Sequence, residues 1–506
     1  MKAFALAAFD TLQLDAQADI EILSVAGFSF NAAGTTGGSC SAVPVALQFY
    51  REAGALFVIF PARVEKGHNL EVKVDYKAEP EEARRPPWRG GFVREKDDQG
   101  RAWWGVACES EGASTWWPCK DVVNDEPSTC DVTLTVPNEY TAVSNGVQTF
   151  ADTAAPAGMK KYQWHVSYPI NLYDVTFYIG KFKLLNDTYA SKVTGETLQL
   201  NHYVLEQHYG QAKEHFAQVK DHLAVYEEFF GPYPFYRDGF KLVESPFAGM
   251  EHQTAIAYGS KFKNNSFGFD YIILHETAHE WWGNSVTAYD LADAWLHEGF
   301  ATYAECLYVE KIRGRKDYDD YMRFYKWAII NRHPVVAPYG IRYFNYKDGD
   351  IYVKGAWILH TLRQTINNDA VFFDIIKTFA TRYKYKNARS QDFVSVVNEK
   401  TGKDYNWFFD QYLHNRFVPE MEYYRDGGKF YYRWNPEFTN DSFPLPVTVE
   451  NSSHTFDLIP QKSIGAQPLS STTNEVYLPT NLLVKFTENK KLRKLFAKEA
   501  KLRPHF

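Results

Sequence analysis

The residues best suited to chemistry lie in a short segment, His275-Glu276-Thr277-Ala278-His279, with Glu298 downstream. Two histidines four residues apart on a helix share one face, so both imidazoles can reach one metal ion. Glu276 would project beside that ion, where a carboxylate can take a proton from water. Glu298 as a third ligand leaves the fourth position of a tetrahedral zinc ion to water, as in catalytic sites. We therefore predict one zinc ion per chain, bound for hydrolysis.

The sequence around the motif favours this interpretation over coincidence. His-Glu-x-x-His arises by chance in roughly a few per cent of chains of this size, and the alternative is a solvated helix face that carries two histidines. The apolar run Tyr271-Ile272-Ile273-Leu274 precedes the motif, and Trp281-Trp282-Gly283-Asn284 follows it. Such flanks predict a helix that packs against a core and stops at Gly283.

Composition limits the class of protein. A chain of 506 residues is too long for one hydrophobic core, so we expect roughly two to four domains. The formal net charge of −7 gives no reason to expect a nucleic-acid partner. No run of about eighteen apolar residues predicts a transmembrane segment. We expect a soluble protein, in the cytoplasm or secreted if a signal peptide precedes the sequence, and its oligomeric state stays open.

The cysteines are odd in number and scattered. None of them has the spacing of a metal-binding pair, so we predict that most are buried free thiols. A disulfide among the second, third and fourth is the alternative. They are Cys40, Cys108, Cys119, Cys130 and Cys306.

Hydrophobic periodicity divides the chain into three predicted domains. Residues 1–206 alternate apolar and polar side chains between turn formers, which predicts a mostly antiparallel β-domain. Residues 207–418 are mostly helical, with a strand-like segment around Lys241-Leu242-Val243, and residues 419–506 return to strand patterns. After an amphipathic helix that ends at Gly231-Pro232, helices are predicted at 268–283, 294–313, 350–367 and 390–401. A hairpin is predicted at 421–434, around Asp426-Gly427.

Several motifs together resemble those of the gluzincin aminopeptidases related to aminopeptidase N and leukotriene hydrolase. The spacing from His275 to Glu298 is similar to theirs, and Trp282-Gly283-Asn284 and Glu298-Gly299-Phe300 extend the match. Ala248-Gly249-Met250-Glu251-His252 resembles the Gly-x-Met-Glu-Asn exopeptidase motif of that family. Tyr352-Val353-Lys354-Gly355 resembles its Tyr-x-Lys-Gly block.

This resemblance implies a fold. We expect an α+β multidomain protein with an N-terminal β-domain, a thermolysin-like, mostly helical catalytic domain and a small C-terminal β-sandwich. The large helical C-terminal domain of many members is not expected in this chain. An active site between the first and second domains would follow, because clefts commonly form there.

The resemblance also implies roles for individual residues. Glu276 would act as the general base, and Tyr352 would donate a hydrogen bond to the oxygen that gains negative charge. An aminopeptidase must hold a free α-amine, which carboxylates do through charge-assisted hydrogen bonds. Glu251, in its motif with Gly249 and Met250, is the main candidate for this role.

Three further residues have two interpretations each. Glu109 lies nine residues before Pro118, where the family has a Gln or Glu, and is either a second amine-binding residue or a surface carboxylate. Glu305 lies two helical turns after Glu298 and either orients a zinc-binding histidine or is solvated. Phe247 either lines the first side-chain pocket of the substrate or is a core phenylalanine.

Two residues depart from the family pattern. His252 replaces the Asn of the exopeptidase motif, where it could tune pH dependence or residue preference. His297 replaces the Asn that usually precedes the third ligand, and a neighbour on a helix points about 100° away, so we do not expect it to bind metal. Neither change removes a required group.

The leading hypothesis is a zinc aminopeptidase whose partners are peptides with a free N-terminus. The alternatives are a thermolysin-type endopeptidase, against which the Met250-Glu251 block argues, and a catalytically inactive scaffold that binds partners. An epoxide hydrolase of the leukotriene type is a minor alternative, which would need a lipid tunnel.

Overall fold

The computed structural model describes residues 1–30, 44–152, 155–341, 343–344, 347–426, 428–451, 454–469 and 475–502. Two structural units emerge. The first comprises Met1–Tyr189, Leu198–Phe216 and Phe235–Phe262, and the second comprises Ala190–Thr197, Ala217–Pro234 and Lys263–Phe506. The division into three domains stays a prediction.

Strands make up most of the first unit, because its apolar and polar side chains alternate between turn formers. The strands in chain order are β1 (Lys2–Phe4), β2 (Phe9–Asp15), β3 (Ile20–Phe30), β4 (Val45–Ala46), β5 (Gln48–Glu52), β6 (Ala55–Val64), β7 (Asn69–Ala78), β8 (Gly91–Lys96), β9 (Ala102–Ala107), β10 (Cys130–Pro137), β11 (Thr141–Ser144), β12 (Val147–Asp152), β13 (Met159–Val166), β14 (Phe177–Gly180), β15 (Phe182–Ala190), β16 (Thr197–Leu205), β17 (Leu242–Glu244), β18 (Gly249–Met250) and β19 (Ile256–Tyr258). Helix α1 spans Tyr209–His215, and short 3₁₀ helices lie at Ala113–Thr115, Leu172–Asp174, Glu206–His208, Phe216–Gln218 and Tyr236–Asp238.

These strands form antiparallel sheets in the orders β1-β7-β3-β4, β2-β6-β5, β11-β14-β9-β8 and β10-β13-β12. The prediction of mostly antiparallel sheet for residues 1–206 is thereby confirmed. One core buries apolar residues of the first two sheets, among them Leu14, Leu56 and Val72. A second core includes Trp164, Tyr178 and Met250.

A mixed sheet, β15-β16-β17-β19-β18, carries the exopeptidase motif. Strand β17 runs parallel to both β16 and β19, whereas β18 is antiparallel to β19, with Gly249 opposite Tyr258 and Met250 opposite Ala257. Residues 251–255 therefore form the turn of a hairpin at the sheet edge. The sequence predicted one strand near 241–243 and missed β18 and β19, because two and three residues are too few for a period to show.

Helices dominate the second unit. They are α2 (Val219–Phe230), α3 (Tyr271–His279), α4 (Trp295–Arg313), α5 (Arg315–Ala328), α6 (Asp350–Ile366), α7 (Asp369–Arg382), α8 (Ser390–Thr401), α9 (Asn406–His414) and α10 (Leu492–Leu502), with a 3₁₀ helix at Leu291–Asp293. The strands are β20 (Val286–Ala288), β21 (Lys386–Ala388), β22 (Glu420–Asp426), β23 (Lys429–Trp434), β24 (Val447–Asn451), β25 (Thr455–Leu458), β26 (Gly465–Pro468), β27 (Val476–Tyr477) and β28 (Lys485–Glu488).

The predicted helices at 294–313, 350–367 and 390–401 are confirmed to within one residue by α4, α6 and α8. Gly314 ends α4 with φ of 88°, a conformation that glycine adopts without strain. The helix predicted at 268–283 was too long, since α3 spans only Tyr271–His279. Helices α5, α7 and α9 were not predicted.

Helices α4 and α6 cross with their backbones in contact. A Cβ atom added to Gly299 would lie 2.9 Å from Cα of Gly355, and one added to Gly355 would lie 2.8 Å from Cα of Gly299. Real Cβ atoms do not approach other atoms so closely, so both positions require glycine. This contact brings the first turn of α4, with Glu298, next to the first turn of α6, with Tyr352.

The C-terminal strands form two sheets, in the orders β26-β23-β22-β28 and β25-β24-β27. Strands β22 and β23 pair as the predicted hairpin, although Gly427 lies outside the described residues. Among the described cysteines, Cys108, Cys119 and Cys306 are buried thiols and Cys130 is a half-buried one, none of them in a disulfide, whereas Cys40 lies outside the described residues. No described helix has both the length and the apolar character to cross a bilayer.

Candidate metal centre and amine-binding residues

Helix α3 carries the first two predicted metal ligands, and its position is fixed at several points. The Asp270 carboxylate caps it by accepting the backbone N–H of Ile272 at 2.9 Å. The Tyr226 hydroxyl on α2 donates to the carbonyl of Leu274 at 3.0 Å. The face that carries His275 and His279 is buried.

Three predicted ligand atoms converge in the second unit. Nε2 of His275 and Nε2 of His279 are 3.1 Å apart, and Oε2 of Glu298 lies 3.4 Å from each. Ligands about 2.0–2.1 Å from a tetrahedral zinc ion lie about 3.3–3.4 Å from one another, so this triangle has the size that zinc requires. Oε2 of Glu298 is buried without a hydrogen-bond donor among the described residues. A buried acceptor without a donor fits a cation.

The other nitrogen of each histidine is held by an acceptor. Nδ1 of His275 lies 2.7 Å from Oε1 of Glu305, and Nδ1 of His279 lies 2.8 Å from the carbonyl oxygen of Trp282. Both Nδ1 atoms must carry the proton, because carboxylate and carbonyl oxygens only accept. Both Nε2 atoms therefore present lone pairs to the centre of the triangle, as metal-binding imidazoles do.

The turn after α3 explains why Gly283 is not the helix stop. The helix ends at His279, and the chain then turns so that the Trp282 carbonyl faces the His279 ring. Packing of the Trp282 indole against Phe230 and Phe300 fixes that turn. Gly283 follows with φ of 125°, which residues with a side chain rarely adopt. A glycine at this position therefore suits the turn that directs the Trp282 carbonyl toward His279, a predicted ligand.

Glu305 receives two more hydrogen bonds, from residues that the sequence analysis missed. The hydroxyls of Tyr321 and Tyr325 on α5 donate to Oε2 at 2.7 Å and 2.6 Å. Burial raises the pKa of both phenols well above the usual value, so they stay protonated donors. The four-residue spacing of the two tyrosines was the available signal, but it has meaning only once α5 is known to be a helix.

Glu276 and Tyr352 lie beside these ligands in the same unit. Glu276 is buried, and one of its carboxylate oxygens lies within 4.8 Å of a ring nitrogen of His279. Tyr352, half-buried in the first turn of α6, has its ring centroid 6.2 Å from that of His275, with the planes inclined by 27°.

The electrostatics agree with the ligand set. Burial alone would favour the neutral acid of Glu298, but positive charge on His279 and His275, when they are protonated, outweighs it and holds the pKa of the carboxyl well below its usual range. A cation bound between the neutral rings would act on the carboxyl in the same sense. His297 is different: its Nε2 accepts the backbone N–H of Ala288 at 2.7 Å, and burial lowers its pKa to about 4. A nitrogen already paired with the backbone is not available to a metal ion.

The predicted amine-binding residues lie in the first unit. Glu109 and Glu251 are both buried, and one carboxylate oxygen of each lies within 4.8 Å of the other. The Tyr173 hydroxyl, a contact that the sequence analysis missed, donates to Oε1 of Glu251 at 3.2 Å. The thiol of Cys108, the residue before Glu109, donates a hydrogen bond to the Tyr173 carbonyl oxygen at 3.5 Å. Two neighbouring carboxylates repel each other unless a cation or proton compensates their charge.

His252 is neutral and held in one orientation. The Tyr178 hydroxyl donates to the carbonyl of Ala255 at 2.9 Å, so Nδ1 of His252, 2.7 Å away, must donate to Tyr178. Burial lowers the pKa of His252 to about 3. Phe247 and Met250 are buried in the second core, and the Phe247 ring contacts His252 edge-on, 6.5 Å between centroids.

Comparison with known proteins places these residues in a family. The Peptidase family M1 domain matches residues 214–412, and the Peptidase M1 N-terminal domain matches residues 7–173. Endoplasmic reticulum aminopeptidase 1 of Mus musculus is 27% identical over 255 residues, which cover 46% of this chain and 27% of that protein. Aminopeptidase N of Streptomyces lividans is 26% identical over 330 residues, which cover 60% of this chain and 37% of that protein. The chain thus spans well under half of the length of these curated relatives.

A solved structure shows a similar fold. The M1 zinc metallopeptidase of Deinococcus radiodurans, a mutant bound to a Tyr-Ser-Ala substrate, has a TM-score of 0.67 and 20% identity. The match covers 83% of this chain and 89% of that one. An N-terminal β-domain and a helical catalytic domain are common to this fold and the structure described above.

Proposed function

Because the chain belongs to peptidase family M1, we propose that it is a zinc-dependent aminopeptidase that removes the N-terminal residue from peptides. The observation that carries this proposal is the triangle of His275, His279 and Glu298, whose three ligand atoms lie 3.1–3.4 Å apart. Its dimensions, the two fixed tautomers and the buried, donor-free carboxylate oxygen all fit one zinc ion per chain.

The residues around the triangle have defined tasks in hydrolysis. A bound zinc ion supplies Lewis acidity, which makes hydroxide available near neutral pH. Glu276 takes the proton of the attacking water and delivers it to the leaving amine. Tyr352 donates a hydrogen bond to the carbonyl oxygen as negative charge develops there. Glu305 holds the His275 ring in one orientation by accepting the hydrogen bond of Nδ1–H.

We further propose that Glu251 binds the substrate ammonium, with Glu109 as second acceptor. Support comes from the exopeptidase motif and from the close approach of the two buried carboxylates, which an ammonium group would neutralise. Gly249 and Met250 hold this turn at the sheet edge through their pairing with β19. Phe247 is proposed as a wall for the first side chain, and the two C-terminal sheets as the small β-sandwich.

The test is substrate choice together with metal content. The purified protein should contain about one zinc ion and cleave an aminoacyl amide at least about 100-fold faster than its acetylated form, since one charge-assisted contact and the loss of its partner are worth several kcal/mol. Chelation should abolish cleavage and added zinc restore it. Equal cleavage of both substrates would instead indicate an endopeptidase, and zinc-free protein without cleavage would indicate a scaffold.

A further inference from the structure

We propose that Tyr321 and Tyr325 are positioning residues for the metal centre, which set zinc affinity and ligand geometry through Glu305. The inference deepens the proposed function and rests on its metal centre. Neither tyrosine belongs to the motifs that suggested zinc. Both lie on α5, a helix that supplies no ligand of its own.

The hydrogen-bond directions in this cluster are fully determined. Each phenol has one proton, and each lies closer to Oε2 of Glu305, at 2.7 Å and 2.6 Å, than to the other hydroxyl, at 3.1 Å. Both protons therefore point at Oε2. The short distance between the hydroxyls follows from their convergence on a single oxygen.

Charge explains why two donors are needed. Glu305 is completely buried, and no lysine or arginine among the described residues forms an ion pair with it. Buried carboxylates depend on hydrogen bonds or on opposite charge. Here the phenols serve Oε2, while Oε1 accepts Nδ1–H of His275. A carboxylate with one oxygen held by two donors cannot rotate. The two tyrosines of α5 therefore fix the orientation of the Glu305 carboxylate, and through it the orientation of the His275 ring.

Helix geometry makes this possible. Tyr321 and Tyr325 are four residues apart and share one face of α5. Phe267 packs edge-on against Tyr321, 5.0 Å between ring centroids, so its ring is held independently of the hydroxyl. A Tyr-to-Phe change therefore removes the donor and keeps the packing.

The experiment compares Tyr321→Phe, Tyr325→Phe and the double variant with Tyr318→Phe. Tyr318 is a matched control: it is buried on the same helix, and its hydroxyl lies 2.5 Å from Nδ1 of His360 and 3.2 Å from the Tyr303 hydroxyl, outside the metal centre. Zinc dissociation constants come from competition with a chromogenic chelator. The visible absorption of the cobalt-substituted protein reports ligand geometry, and thermal unfolding in excess chelator reports stability without metal.

We expect each single variant to bind zinc about 3-fold more weakly and the double variant about 10-fold or more, with an altered cobalt spectrum. The single effects are smaller than the roughly 10–100-fold typical of direct partners of metal-binding histidines, because the tyrosines act through Glu305. Tyr318→Phe should change metal-free stability but not affinity or spectrum. Unchanged affinity and spectrum in both single variants would overturn the inference, even if the double variant does not fold. A wild-type protein that binds no zinc would instead overturn the metal centre itself.

Discussion

Two buried carboxylates, Glu305 in the second unit and Glu251 in the first, have different surroundings, in line with the supporting and binding roles that we propose for them. Both carboxylates accept hydrogen bonds from tyrosine hydroxyls. The nearest polar groups to Glu305 are donors, two phenols and an imidazole, and the carboxylate is satisfied by the protein itself. Glu251 instead has a second acid, Glu109, within 4.8 Å. Donors around an acid hold it in place, whereas a second acid beside it creates a demand for a cation.

The largest effect is expected from Glu276→Gln, which tests the metal side of this comparison. The amide keeps the size of the carboxylate but cannot accept a proton, so kcat should fall about 10³-fold or more. Zinc content and melting temperature should stay at the wild-type values, because Glu276 is not one of the three proposed ligands. Turnover within about 10-fold of wild type would remove Glu276 from the role of base.

Next in size is Tyr352→Phe. Loss of a donor to a developing oxyanion costs about 10²–10³-fold in kcat and leaves KM nearly unchanged, since the charge exists only in the transition state. Steady-state kinetics on one aminoacyl amide measure this. If KM rises while kcat holds, Tyr352 binds substrate and does not stabilise the oxyanion.

Glu251→Gln sharpens the comparison from the acid-pair side. Glutamine can still accept from Tyr173, but it has no charge to offer an ammonium, so kcat/KM for free-amine substrates should fall about 10–100-fold. Glu305→Gln is the contrasting variant, which should weaken zinc binding rather than substrate selection. Glu251→Gln with wild-type kinetics would reassign the amine site.

The smallest effect concerns stability at acid pH. His252 has a pKa of about 3 in the folded protein and about 6.5 when unfolded. Below about pH 6.5 the unfolded chain therefore binds a proton at His252 that the folded protein does not bind. The free energy of unfolding then decreases by about 1.4 kcal/mol for each unit by which the pH is lowered. His252→Asn should remove roughly 2 kcal/mol of the loss between pH 7 and pH 5, measured by urea unfolding. Identical losses in both proteins would show that folding does not lower the pKa of His252.

What the sequence could predict was local. Helices α4 and α6 and the ligand spacing on α3 follow from periodicity, from Gly314 and from the i, i+4 rule. What it could not predict depends on distant partners. The turn at Trp282 needs Phe300 beneath it, and the Tyr173–Glu251 contact joins residues 78 positions apart. Helix α5 contributes to the candidate site through the hydroxyls of Tyr321 and Tyr325, and hydrophobic periodicity gives no information about hydroxyl groups.

The contact between Gly299 and Gly355 has a consequence for how accurately the site is built. Side chains between two helices can change rotamer and let the helices drift, but here the separation is set by the main chain alone. The backbones of Glu298, the residue before Gly299, and of Tyr352, three residues before Gly355, are thus held at a fixed spacing. A single methyl group at either glycine would push the two helices apart and increase the distance between the Tyr352 phenol and the Glu298 carboxylate. Neither glycine has a group that could itself react.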